Sequence, residues 1–158
     1  MISAHLALAL RDAGLRWHPA AGDRFVIPQP ELIGELFTLS EMTIEAREYP
    51  TGTILGFNGT TEWAMDSVAQ EEALWMPRED QLREKLGGTF VSLVRAEGRS
   101  APRHASTSAD APTDGSVWEV TTLTGDAHEV AHRAPDPADA YALALLALIE
   151  LAQDGAVR

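Results

Sequence analysis

The residues best suited to chemistry are His128-Glu129-Val130-Ala131-His132, which match H-E-x-x-H letter for letter. On a helix, positions i and i+4 put both imidazoles on one face, where they can share a zinc ion. The glutamate between them then acts as general base on metal-bound water. The surroundings argue against a helix. Asp126 and Pro135 bracket the motif and leave room for about two turns at most. No apolar residue repeats at helical spacing around it. As a strand, His128, Val130 and His132 point one way and Glu129 and Ala131 the other, and the two imidazoles stand ~13 Å apart. A third ligand has no recognisable spacing among His5, His18, His104, Asp136, Asp139, Glu150 and Asp154. The expectation is a strand with no catalytic, cofactor-binding or metal-binding residue assigned. Zinc hydrolysis by His128, Glu129 and His132 is the alternative.

Other reaction classes find less support. Without cysteine there is no thiolate nucleophile, no thiolate metal site and no disulfide. The nucleophile elbow G-x-S-x-G, the phosphate loop G-x-x-x-x-G-K-[ST] and the dinucleotide fingerprint G-x-G-x-x-G do not occur. Gly87-Gly88 follows an expected helix instead of preceding one. The carboxylates Glu71, Glu72, Glu79 and Asp80 could do paired acid/base work, but they read more simply as a solvated acidic face. The tryptophans Trp17, Trp63, Trp75 and Trp118 are scattered, which suits core or rim positions better than a ligand cage.

Charge narrows the partners. The chain has 158 residues and a formal net charge of −12, from 24 acids against 12 bases. Such a chain repels phosphate backbones and anionic membrane surfaces, so no nucleic-acid partner is expected. The longest apolar run, Ala140 to Ile149, is too short to cross a bilayer, so membrane insertion is not expected either. Met1 to Arg11 has no basic segment before its apolar residues and does not read as a signal peptide. Together with the lack of cysteine, this points to the cytoplasm. The length suits one domain.

The elements follow from periodicity and punctuation. Ser3 caps a helix running to about Ala13, with Leu6, Leu10 and Ala13 on one face and Gly14 as its C′ residue. Short strands are expected at Arg24–Ile27 and Leu36–Leu39. From Met42 to Arg47 apolar and polar residues alternate, with Met42, Ile44 and Ala46 on the core side. Pro50-Thr51-Gly52 turns this strand back into Thr53–Phe57. After a tight turn at Asn58-Gly59, residues 61–66 read weakly as strand, with helix as the alternative. Pro77 is expected at the first position of a helix ending near Leu86, with Trp75 as its hydrophobic anchor. Strands Phe90–Val94 and Val117–Val120 pair around residues 98–115, a flexible loop by composition. His128–His132 is the last strand. Asp136 caps a final helix with Pro137 at N1, running to about Gln153 and ended by Gly155. Between Ala138 and Ala152 that helix has only Asp139 and Glu150 as polar residues. It must be covered on all sides, either as the core helix or partly as a homodimer interface. The expected fold class is a single α+β domain, residues 1–158. A mainly antiparallel sheet packs with an N-terminal helix, a middle helix and a long apolar C-terminal helix.

Several stretches carry a resemblance. They are Leu10-Arg11-Asp12-Ala13-Gly14-Leu15-Arg16-Trp17 with Gly22-Asp23-Arg24-Phe25, the run Gly56 to Ala64, the run Ala73 to Arg83, and Asp136 to Leu146. In these the chain resembles a family of small actinobacterial proteins often labelled "pilus assembly protein". The resemblance covers most of the chain outside residues 98–115. It implies a fold and carries no functional residues. The order of elements is also similar to secretion-chaperone-like α+β domains, an analogy of fold alone. The expected function is a non-enzymatic binding or adaptor protein, without cofactor, acting through contacts with an unknown protein partner.

Overall fold

The computed structural model describes residues 1–58, 66–97, 116–125 and 127–156. The expectations for residues 61–65, for Gly59 and for the 98–115 loop lie outside the described residues, as do Trp63 and His104. In chain order the elements are α1 (Ala4–Asp12), β1 (Arg24–Val26), β2 (Phe37–Thr38), β3 (Ile44–Tyr49), β4 (Gly52–Phe57), β5 (Ser67–Ala69), β6 (Leu74–Trp75), α2 (Glu79–Leu86), β7 (Phe90–Glu97), β8 (Ser116–Leu123), β9 (Glu129–Ala134) and α3 (Pro137–Ala156). The strands form three antiparallel sheets of order β2-β1-β6, β3-β4-β5 and β7-β8-β9. The fold class is α+β, as expected.

Local signals placed the ends of α1 correctly. Leu6, Ala7 and Leu10 are its buried face. Gly14, at φ 94°, lets the chain leave through a left-handed turn. The Gly14 N–H donates to the Arg11 carbonyl and the Leu15 N–H to the Leu10 carbonyl, both at 2.9 Å, closing a Schellman motif. Ser3 sits at the N-cap, but its hydroxyl makes no cap bond. Its backbone N–H donates instead to Asp139 at 2.6 Å, which ties α1 to the first turn of α3.

The start of α2 corrects an expectation. Pro77 lies two residues ahead of the helix, fully buried, and Arg78 is the N-cap. The Gln81 side chain accepts the Arg78 N–H at 3.0 Å, half of a capping box, and the helix starts two residues later than proline at N1 would place it. In β3, only Ile44 reaches the core. Met42 stands 84% exposed in the preceding turn and Ala46 is exposed, so the alternation from Met42 to Arg47 does not face the core. Gly155 does not end α3, which continues to Ala156.

Two hydrophobic clusters carry the fold. The first joins Ile2, Leu6 and Leu10 to Leu74, Leu82, Leu86, Val120 and the α3 residues Ala138 to Leu145. The second holds Phe25, Ile27, Phe37, Leu39, Ile44, Leu55 and Val68. Asp136 caps α3 by accepting the Ala138 N–H at 2.8 Å. Tyr141 and Leu145 are buried, so the first turns of α3 are core helix, as expected. Leu148 and Ile149 are only half-buried against the first cluster, and Leu151 is exposed. Among the described residues no helix is long and apolar enough to cross a membrane.

Candidate functional site

The H-E-x-x-H residues lie on and just before β9. His128 precedes the strand, Glu129 opens it, and His132 pairs in register with Val120 of β8. His128 and Glu129 are exposed; His132 is half-buried, and desolvation pushes its imidazole below the ordinary histidine value. His132 lies within β9 and His128 just ahead of it, and strand spacing holds residues i and i+4 ~13 Å apart, too far to share one ion. Among the described residues no group of three or more histidines and carboxylates is placed to hold a metal ion. The motif that looked most chemical in the sequence is thus spread along a sheet edge.

The acidic residues are spread as well. Glu71 and Glu72 belong to a single 3-10 turn at Gln70–Glu72, and Glu79 and Asp80 begin α2. All of them are exposed. Asp80 is held below the usual carboxylate range by its hydrogen bonds from Arg78, at 3.0 and 2.9 Å. Exposed and split between two elements, these carboxylates form a solvated face.

The structure brings two of the scattered tryptophans together, both half-buried. Trp17 and Trp75 stack with planes 3° apart and centroids 6.4 Å apart. Trp17 continues into an aromatic series through Phe25 at 5.8 Å, Phe37 and Phe57. Trp118 lies elsewhere, on β8, with the Arg95 guanidinium 5.9 Å from its ring.

Trp17 is fixed from three sides. Its indole N–H donates to the Asp23 carboxylate at 2.9 Å. Its carbonyl accepts the Gln70 side-chain N–H at 2.7 Å. Its face lies against Trp75. Asp23 is only 2% exposed and fully engaged. It also accepts the Ala20 N–H at 2.9 Å and the Gln81 amide at 2.5 Å, with the Arg78 guanidinium 3.8 Å away. A buried carboxylate is tolerable only with such partners. Asp23 went unnoticed among the candidate residues. Its single signal was a charged residue directly before the apolar β1, in a turn rich in small residues.

Trp17, Gln70 and Trp75 help to wall a cavity of about 670 Å³ between the end of α1, the Leu15–His18 loop, the 3-10 turn and β6. Leu10, Leu15, Leu74 and Trp75 supply apolar surface, and Arg11, Arg16, His18 and Glu71 stand among its polar lining. The size is that of a small-molecule or side-chain pocket. The indole N–H of Trp75 is buried and has no hydrogen-bond partner among the described residues. Comparison of the chain with family models, curated proteins and solved structures found no match. The cavity is therefore read on its own geometry.

Proposed function

We propose that the protein is a non-catalytic binding or adaptor protein that engages a protein partner through the Trp17–Trp75 cavity. The observation that carries this reading is the fixing of Trp17 by Asp23, Gln70 and Trp75. A rigid aromatic wall loses little freedom on binding and offers a large apolar area, which is how strong contact residues work. The surface charge adds direction, since a chain of net charge −12 attracts basic partner surfaces outside the cavity. The α+β architecture, similar in element order to secretion-chaperone-like domains, supports the same reading by analogy.

The test is site-directed photo-crosslinking in the native host. A photoreactive amino acid at His18, on the cavity lining, is expected to give a discrete protein adduct. The same group at the exposed Met42, outside the cavity lining, is the control. Adducts from Met42 with none from His18 would overturn the assignment of the cavity as the contact site.

A further inference from the structure

We infer that β9 is a self-pairing edge, along which two copies of this chain join antiparallel about a two-fold axis at Ala131. None of the residues concerned lines the Trp17–Trp75 cavity, so the inference stands apart from the function proposed there.

The first observation is which backbone groups β9 leaves open. Successive residues of an antiparallel strand point their N–H and C=O groups alternately to one side and the other. The Thr124 N–H donates to the His128 carbonyl and the Ala127 N–H to the Thr124 carbonyl, both at 2.9 Å, so the β8–β9 hairpin starts on a hydrogen-bonded pair. Along the register from there, Val130, His132 and Ala134 bond to β8, while Glu129, Ala131 and Arg133 point their groups away from it. β9 is the end strand of its sheet, and these three residues are exposed.

The second observation is what the three carry. With Ala131 on the axis, an antiparallel second copy sets Glu129 opposite Arg133 and Arg133 opposite Glu129. Outward residues then meet outward residues, the condition for paired backbone bonds, about six in all. Side chains directly opposite on one face interact, and here both pairs are of opposite charge. Glu129 has no hydrogen bond or ion pair with the described residues. Arg133 bonds Glu119 of β8 but is mostly exposed, and its guanidinium has donors for a second carboxylate. Two chains of net charge −12 repel, so a contact between copies needs this local complementarity.

The other long edges fail the same construction. In β3 the Asn58 N–H donates to the Thr43 carbonyl, so Ile44, Ala46 and Glu48 point outward, and an axis at Ala46 sets Ile44 against Glu48. Ser40 already takes the Ile44 carbonyl at 2.9 Å. In β7 the alternation turns Leu93, Arg95 and Glu97 outward, and an axis at their middle sets Arg95 on Arg95. A bulge between Phe90 and Ser92 also interrupts that edge.

The test is sedimentation velocity of the full chain from micromolar to near-millimolar concentration. The wild type is expected to pass from monomer to dimer. Glu129→Arg and Arg133→Glu each set like charges opposite one another, and each is expected to weaken the dimer roughly tenfold or more. An equimolar mixture of the two variants has opposite charges at both pairs and is expected to regain the dimer. Arg133→Glu also meets Glu119 within its own chain. Ala131→Pro, which removes an outward N–H and none that β8 uses, therefore gives a second reading, with loss of the dimer expected. A wild type that stays monomeric at every concentration overturns the inference. So does a dimer that survives Glu129→Arg and Ala131→Pro, or a mixture of folded single variants that stays monomeric.

Discussion

The indole N–H of Trp17 donates to the carboxylate of Asp23 at 2.9 Å, and that carboxylate is 2% exposed. One buried acid thereby holds the cavity wall, the loop before β1 and, through Gln81, the first turn of α2. Asp23→Ala leaves three donors without their acceptor. Each buried unpaired group costs about 1–3 kcal/mol, so the variant is expected to lose several kcal/mol in denaturant unfolding. Asp23→Asn, which keeps an acceptor oxygen, is expected to lose less. Equal stability of wild type and Asp23→Ala would show that the latch contributes nothing.

His132 gives a pH dependence with a defined sign. Burial favours its neutral form, so its folded value lies below the ordinary 6.5. The unfolded chain then takes up the proton first. Stability is full above the unfolded value and declines as pH falls through it toward the folded one. Melting curves recorded from neutral to mildly acidic pH are expected to show this decline for the wild type. His132→Gln is expected to flatten it. A decline of the same size in His132→Gln would assign it to other groups.

The β9 strand also sets the expected metal content. With His132 on β9 and His128 just ahead of it, strand spacing of ~13 Å between i and i+4 does not suit a shared ion, and protein purified without a polyhistidine tag or chelator is expected to contain far less than one equivalent of zinc. His132→Ala is expected to leave that content unchanged. Stoichiometric zinc that disappears in His132→Ala would restore the hydrolase alternative.

Leu145 and Leu151 separate the two ends of α3. Leu145 is 5% exposed and Leu151 is 54% exposed. Leu145→Ala is expected to cost about 2–5 kcal/mol, and Leu145→Asp to prevent folding. Leu151→Glu is expected to change stability by no more than about 0.5 kcal/mol. Should Leu151→Glu instead change the sedimentation of the protein, the last turns of α3 form a contact between copies.

What the sequence revealed divides by distance along the chain. The α1 terminus at Gly14, the hairpin at Pro50-Thr51 and the Asp136 cap are written in neighbouring residues, and they were legible. So was the strand through His132, because a turn and a cap bracket it. The short β5 and β6 were missed, since two or three residues hold no period and exist only because β4 and β1 pair with them. Pro77 misled because the Gln81 side chain, not the proline, sets the start of α2. The cavity was illegible for the same reason as β6. Gln70 reaches Trp17 across 53 positions, and Asp23 reaches Gln81 across 58. Neither pairing has a local pattern.

The bond from Ser3 to Asp139 spans 136 positions. The first hydrophobic cluster therefore joins α1 to α3, the first and last of the described elements, whereas the buried residues of the second lie between Phe25 and Ala73. On the ribosome the second cluster can condense while α3 is still unmade. The apolar face of α1, Leu6, Ala7 and Leu10, must wait for α3, the later of its two partners in chain order. Closing so long a loop is slow compared with forming a local hairpin. Until α3 docks, α1 has only the β6 side of its packing, and the part of its apolar face that α3 covers is open to other growing chains.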